Sequence, residues 1–400
     1  MAHTVSWLRV WARIVKVWRG SQQHQNMQFA ELSTVKHRVR LGAPLPFNVR
    51  DADRTLLLAR GQQIESTDQL AALFQRGCLV DVAELQSARD EILKASRQEL
   101  PGMWSKCLNR ISSMLLAPVG SSFDVVLDQA SEPVRALIER DPDLAIFQVV
   151  RQGNNRDVAY GAQRSVQSGI TAFLVAQRLG WDTESCERLL KVALTMNISM
   201  LELQGKLSHQ SVPLSPEQRR ELQTHPMRSV RMLELAGVTD AAWLKAVLQH
   251  HEQEDGNGYP SGTTEISELA SLARRADVYT SKLAGRSSRE ALAADVAGRQ
   301  MFMQDPGHPM TAALVKEFGI YPPGCYVRLT SGAVGIVVGR GETITTPAVA
   351  CLTNERGISL PAPVRVCIGQ NGNAIAGVVG ETASNVQLPL DRLAALVTAA

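Results

Sequence analysis

His250-His251-Glu252-Gln253-Glu254-Asp255-Gly256-Asn257-Gly258-Tyr259-Pro260-Ser261-Gly262 decides how this chain is read. Two adjacent imidazoles followed by Glu252, Glu254 and Asp255 make a dense patch of ligand-type groups. A Gly-Asn-Gly-Tyr-Pro turn follows, in which glycine permits positive φ and proline fixes the exit. Taken singly, each group has an ordinary reading. Histidines at a helix end bond the last carbonyls, Asp-Gly is a turn signal, and His225 before Pro226 is a helix-end residue. Taken together, in order and at this spacing, they read as a site.

All nine specified positions of this stretch match HHExxDGxGYPxG, the second half of the HD-GYP signature. The chain resembles that family over about residues 150–320. The resemblance implies a helical domain of metal-dependent phosphodiesterases acting on cyclic di-GMP, in which His and Asp side chains cluster several metal ions. Other downstream positions also match. His225 lies in a Thr-His-Pro segment after Leu214-Ser215-Pro216-Glu217-Gln218, where Ser215 reads as an N-cap, Pro216 as the first helical residue and Gln218 as the partner of a capping box. Asp277 follows in Ala276-Asp277-Val278-Tyr279, and Arg286 and Arg289 match the arginines of the family's RPYR tail.

The first half of the signature departs from the pattern. The family's HDxGK segment falls on Met196-Asn197-Ile198-Ser199-Met200, so Met196, Asn197 and Met200 stand where a histidine, an aspartate and a lysine are expected. The family's upstream histidine aligns with Arg164, whose guanidinium stays protonated and offers no lone pair to a metal. Thr280 replaces a second aspartate, and Ser267 stands where a proline is usual, in a loop two residues shorter than the pattern.

The resemblance therefore implies at most one divalent ion (Fe, Mn or Zn), held by His225, His250 and His251 with Asp277 in or near the shell. Arg164, Arg286 and Arg289 are the implied phosphate contacts. Asp255, Gly256, Gly258, Tyr259 and Pro260 are the implied loop for GGDEF-domain or other signalling partners. Without the anionic bridge a second ion would meet uncompensated repulsion. The expected function is a catalytically impaired signalling protein that binds cyclic di-GMP or a protein partner. The alternative is a phosphodiesterase working with a reduced metal set.

Composition bounds the remainder. Apolar content of 44%, charged content of 20% and a net charge of +3 are ordinary for a soluble protein and give no field for nucleic acid. The six cysteines show no CxxC spacing and read as free thiols of a cytoplasmic protein. In residues 1–20, Trp7, Trp11, Ile14 and Trp18 fall on one helical face, with Arg9, Arg13 and Lys16 on the other. That pattern suits a helix lying at the inner membrane surface. A partner-docking helix, or translation starting at Met27, are the competing readings.

The expected fold class is α+β and multidomain. Residues 1–35 are an amphipathic or disordered segment, and 36–95 a small α/β module with a hairpin across Asp51-Ala52-Asp53 and a helix capped by Ser66. Residues 96–149 are a helical connector, and 150–320 the all-α HD-type domain. Residues 321–400, beyond Tyr321-Pro322-Pro323-Gly324, are an antiparallel β module with hairpins around Ser331-Gly332 and Asn354–Gly357.

Overall fold

The chain divides into two units, Met1–Ser87 and Ala88–Ala400. The computed structural model describes residues 28–39, 41–85, 87–117, 123–151, 159–285, 291–369, 373–380 and 388–399. The expected interfacial helix in residues 1–20 and the two arginines Arg286 and Arg289 lie outside the described residues. Among the described residues no helix is long and apolar enough to cross a membrane.

The first unit is a small sheet backed by one helix. Its strands are β1 (Phe29–Glu31), β2 (Val49–Arg50), β3 (Leu56–Leu58) and β4 (Leu79–Asp81), in the order β1-β4-β2-β3. The β2–β3 hairpin forms as expected across Asp51, whose N–H donates to Thr55 O at 2.8 Å. Helix α1 (Thr67–Gln75) starts at Ser66, which accepts from Gln69 N–H at 3.1 Å. The reciprocal bond of the box goes one residue further back, from Glu65 N–H to Gln69 Oε1 at 3.2 Å. Leu32, Phe47, Val49, Ile64 and Val80 are fully buried and form this unit's own core.

The second unit opens earlier than the expected boundary at residue 95. Helix α2 (Ala88–Lys94) already belongs to it. Helices α3 (Leu100–Leu116), α4 (Phe123–Arg140) and α5 (Pro142–Val150) are not a connector. Trp104, Ile111, Leu127, Leu137 and Phe147 are buried in the same core as the helices that follow. Those are α6 (Ala159–Arg178), α7 (Thr183–Thr195), α8 (Leu201–His209), α9 (Pro216–Leu235), α10 (Ala241–Gln249), α11 (Glu268–Leu283), α12 (Ala294–Gln304) and α13 (Pro309–Phe318). Helix α6 runs through the middle, with nearly every side chain from Tyr160 to Ala176 buried.

The C-terminal strands β5 (Tyr326–Leu329), β6 (Val334–Gly339), β7 (Ala348–Thr353), β8 (Ser359–Cys367) and β9 (Ile375–Val379) form one antiparallel sheet ordered β8-β7-β6-β5-β9. Alternation divides its two faces. Tyr326, Ile336, Val338, Ala350 and Leu352 join the helical core, whereas Val327, Val337 and Val349 form a separate cluster. A final helix α14 (Leu390–Thr398) buries Leu393, Ala394 and Val397 in the helical core. The expected β module is thus one layer of the larger unit.

Candidate metal centre

Two imidazoles are fixed by carbonyls that a helix cannot use. Pro226 sits inside α9 and has no N–H, so the carbonyl four residues back, Leu222, lacks its helical donor. His225 Nδ1 takes that place and donates to Leu222 O at 2.6 Å. His250 follows the last residue of α10, and its Nδ1 donates to the terminal-turn carbonyl of Val247 at 2.7 Å. With Nδ1 acting as donor in each ring, Nε2 carries the lone pair.

These two Nε2 atoms face each other at 3.1 Å. Two lone pairs at that distance repel unless a cation stands between them or one ring gains a proton. Burial, reinforced by the neighbouring imidazole, opposes the proton and pushes both rings down to about 3. His251 is pushed down to about 3 by burial and by His225. Among the described residues, His225, His250 and His251 form a group whose ligand atoms all lie within 4.8 Å of one another. Imidazoles sharing one tetrahedral ion at about 2.0–2.1 Å stand roughly 3.4 Å apart. The donor set fits one ion.

Asp277 does not join this group. The Arg164 guanidinium reaches across from α6 and donates through Nη2 to Asp277 Oδ1 at 3.1 Å and to Asp277 O at 3.2 Å. Ser168 also donates to Asp277 Oδ1, at 3.3 Å, and shares a hydrogen bond with Thr280 at 3.0 Å. The replacement residues Arg164 and Thr280 therefore bind the aspartate or its neighbours directly. Met196 and Met200 are buried. Asn197 is also buried, and neither its Oδ1 nor its Nδ2 has a hydrogen-bond partner among the described residues. Its segment is tied to α9 by Ser199, whose hydroxyl donates to His225 O at 3.0 Å.

The loop after His251 is stapled at several points. Glu252 is buried, and its Oε1 accepts from Ser261 N–H at 2.7 Å. Gly256 has φ of 76°, and a Cβ on Gly258 would lie 2.4 Å from Glu252 Cα, so both glycines are required by the backbone. Gln249 joins the loop to α11 by donating to Glu265 O at 2.9 Å and accepting from Ser267 N–H at 3.0 Å. A proline at 267 could not make the second bond, which accounts for the serine. Arg275, almost wholly buried, donates to Glu254 Oε1 at 3.1 Å and to Asp305 Oδ2 at 2.6 Å. Of the expected partner-loop residues, Asp255 is exposed, while Gly256, Gly258, Tyr259 and Pro260 are half-buried. Tyr259 turns inward and stacks on His251, with centroids 4.6 Å apart. Burial and the Asp277 charge push its hydroxyl up.

A cleft of about 290 Å³ opens beside the imidazoles, with His251, Tyr259 and Asp277 in its lining. Tyr160 and Arg164 line it from α6, and Met200 lines it from the turn before α8. Helix α11 contributes Val278, Ser281 and Lys282; Ser281 stands one turn beyond Asp277, and Lys282 one turn beyond Val278. Motif matching passed over Lys282, Gln249 and Arg275.

Residues 154–304 match the HD domain family. Over 148 residues the chain is 36% identical to the cyclic di-GMP phosphodiesterase PA4108 of Pseudomonas aeruginosa. That stretch covers 36% of this chain and 35% of that protein, so the chain spans about a third of this curated relative. Among solved structures, Bd1817, a HDG"Y"P protein from Bdellovibrio bacteriovorus, aligns with 72% of this chain and 97% of its own, at 16% identity and a TM-score of 0.47.

Proposed function

We propose that this chain, whose residues 154–304 match the HD domain family, is a cyclic di-GMP signalling protein that binds the nucleotide, or a partner protein, without cleaving it. The observation that carries this reading is the ion pair between Arg164 and Asp277. A fixed organic cation occupies the position of one ligand and engages the carboxylate of another. Met196 and Asn197 remove a further imidazole and the anionic bridge, so the groups that would neutralise charge between two ions are missing. A single ion held by His225, His250 and His251 would polarise a phosphoryl oxygen and acidify a water molecule when bound. Losing one electrostatic contact of that kind costs on the order of a hundredfold in rate. Losses within one site need not add, but several leave little room for compensation.

A phosphodiesterase with a reduced metal set is the second reading, favoured by the convergence of three neutral imidazoles. Turnover of cyclic di-GMP by the wild type, beside a His250→Ala/His251→Ala variant and with Mn, Fe or Zn supplied in turn, separates the two. The binding protein shows bound nucleotide and no product. Product that appears with the wild type and vanishes in the variant would overturn the proposal.

A further inference from the structure

We propose that the Arg164–Asp277 ion pair sets the metal preference of the centre, leaving an all-imidazole donor set that takes Zn(II) ahead of Mn(II) or Fe(II). This deepens the single-ion part of the proposed function and rests on it. The donors carry the first half of the argument. Among the described residues, the group formed by His225, His250 and His251 contains no carboxylate. Mn(II) is a hard ion suited to carboxylate, carbonyl and water oxygens, and Fe(II) to two imidazoles with a carboxylate. Imidazole nitrogens without an anionic oxygen suit Zn(II), which stands above both in the general order of divalent affinities. Three imidazoles also make an open zinc shell, with the fourth position left for water or a ligand.

The placement of the nearby carboxylates carries the second half. Glu252 follows His251 in sequence but serves its own loop, where Oε1 accepts from Ser261 N–H at 2.7 Å. Asp277 lines the same cleft as His251, and its charge acts on both His225 and His250. It is held from α6 instead. Arg164 donates from Nη2 to Asp277 Oδ1 at 3.1 Å and to Asp277 O at 3.2 Å, and Ser168 adds a bond to Oδ1 at 3.3 Å. The backbone contact ties the guanidinium to α11 itself, so the pair does not swing as two loose side chains would. Arg164 is 3% exposed in its side chain and Asp277 14%, so water screens the charge-assisted bond little. An oxygen donor close to the imidazoles is thereby kept out of their shell.

The test is equilibrium dialysis of the full chain against buffered mixtures of Zn(II) and Mn(II), with bound ions counted by elemental analysis. The proteins are wild type, Arg164→Met, Asp277→Asn and Arg164→Met/Asp277→Asn. Wild type is expected to bind one ion and to favour Zn(II) by about a hundredfold or more. Arg164→Met releases the carboxylate, and the preference should narrow about tenfold as an oxygen donor joins the shell. The double variant should return to the wild-type ratio, and Asp277→Asn alone should keep it. A charge acting through space attracts two divalent ions alike, so the ratio reports direct ligation. Equal uptake of the two ions by wild type, or an unchanged ratio in folded Arg164→Met, would overturn the inference. A ratio that shifts in Asp277→Asn would overturn it too, because Asp277 would then already be a ligand. That variant is isosteric and decides the question if Arg164→Met does not fold. Binding of neither ion by wild type, or of two ions per chain, would reject the single-ion reading itself.

Discussion

A neutral imidazole has one basic nitrogen, and the partner of its other nitrogen decides which one it is. At His225 that partner exists because of Pro226. The missing N–H leaves Leu222 O open, and the ring donates to it at 2.6 Å. Pro226→Ala would restore a helical donor that competes for the same carbonyl. The expected outcome is an equal or higher thermal midpoint together with metal affinity reduced about ten- to a hundredfold, as when a supporting contact of a ligand is lost. Titration of Zn(II) or Mn(II) against both proteins, with melting curves alongside, checks it. Unchanged affinity would mean that the proline serves only the helix. At this scale the imidazoles were legible because they are contiguous or adjoin a proline. The engagement of Asp277 was not, because it depends on Arg164, 113 residues away in sequence. A ligand-type residue in sequence says nothing about which cation reaches it first.

At the scale of elements, local chemistry was read well and pairing was not. The Ser215–Gln218 capping box forms as expected, since both bonds span three residues. The β5–β6 hairpin forms too, with its turn near Ser331. Strands β1, β4 and β9 were missed, because segments of three to five residues carry little periodic signal and their partners are distant. Arg275 shows the same limit in a side chain. It links the loop at Glu254 to Asp305, beyond the end of α12. Burial opposes ionisation of both carboxyls. Hydrogen bonds from Arg275 and Thr311 nevertheless hold Asp305 below its ordinary range, and the Glu254 backbone N–H with the Arg275 charge does the same for Glu254. Depressed folded values mean that the unfolded chain binds these protons first as pH falls. The stabilisation is therefore complete above the ordinary carboxylate range of about 4 and is lost as pH drops through the folded values. Melting midpoints measured from pH 6 down to 3 should fall less steeply in Arg275→Met than in wild type. Parallel acid limbs would show that the network contributes nothing to acid sensitivity.

Among the described residues each unit has its own main hydrophobic core, one around Phe47 and Val80 and one that runs through the helices into the sheet, whose other face carries a smaller cluster around Val327 and Val337. Domain boundaries were the least legible feature in sequence. Pro322-Pro323-Gly324 reads as a break, yet Tyr326 and Ile336 just beyond it are buried in the helical core, and α14 returns to that core at the end of the described chain. Composition shifts mark a change of secondary structure here, not a change of core. A unit with its own core unfolds as its own cooperative step, so calorimetry of the full chain should resolve two transitions. Every group of the metal centre and its cleft, from Tyr160 to Lys282, lies within Ala88–Ala400. A ligand that binds only the native form stabilises the unit it binds by about 2.7 kcal/mol at a hundred times its Kd. Zn(II), Mn(II) or cyclic di-GMP should therefore raise the midpoint of the larger, more enthalpic transition and leave the smaller one in place. A shift of both together would mean that the two cores are energetically coupled. A shift of the smaller one alone would place the binding site in Met1–Ser87 and remove the basis for reading the imidazole cluster as the functional centre.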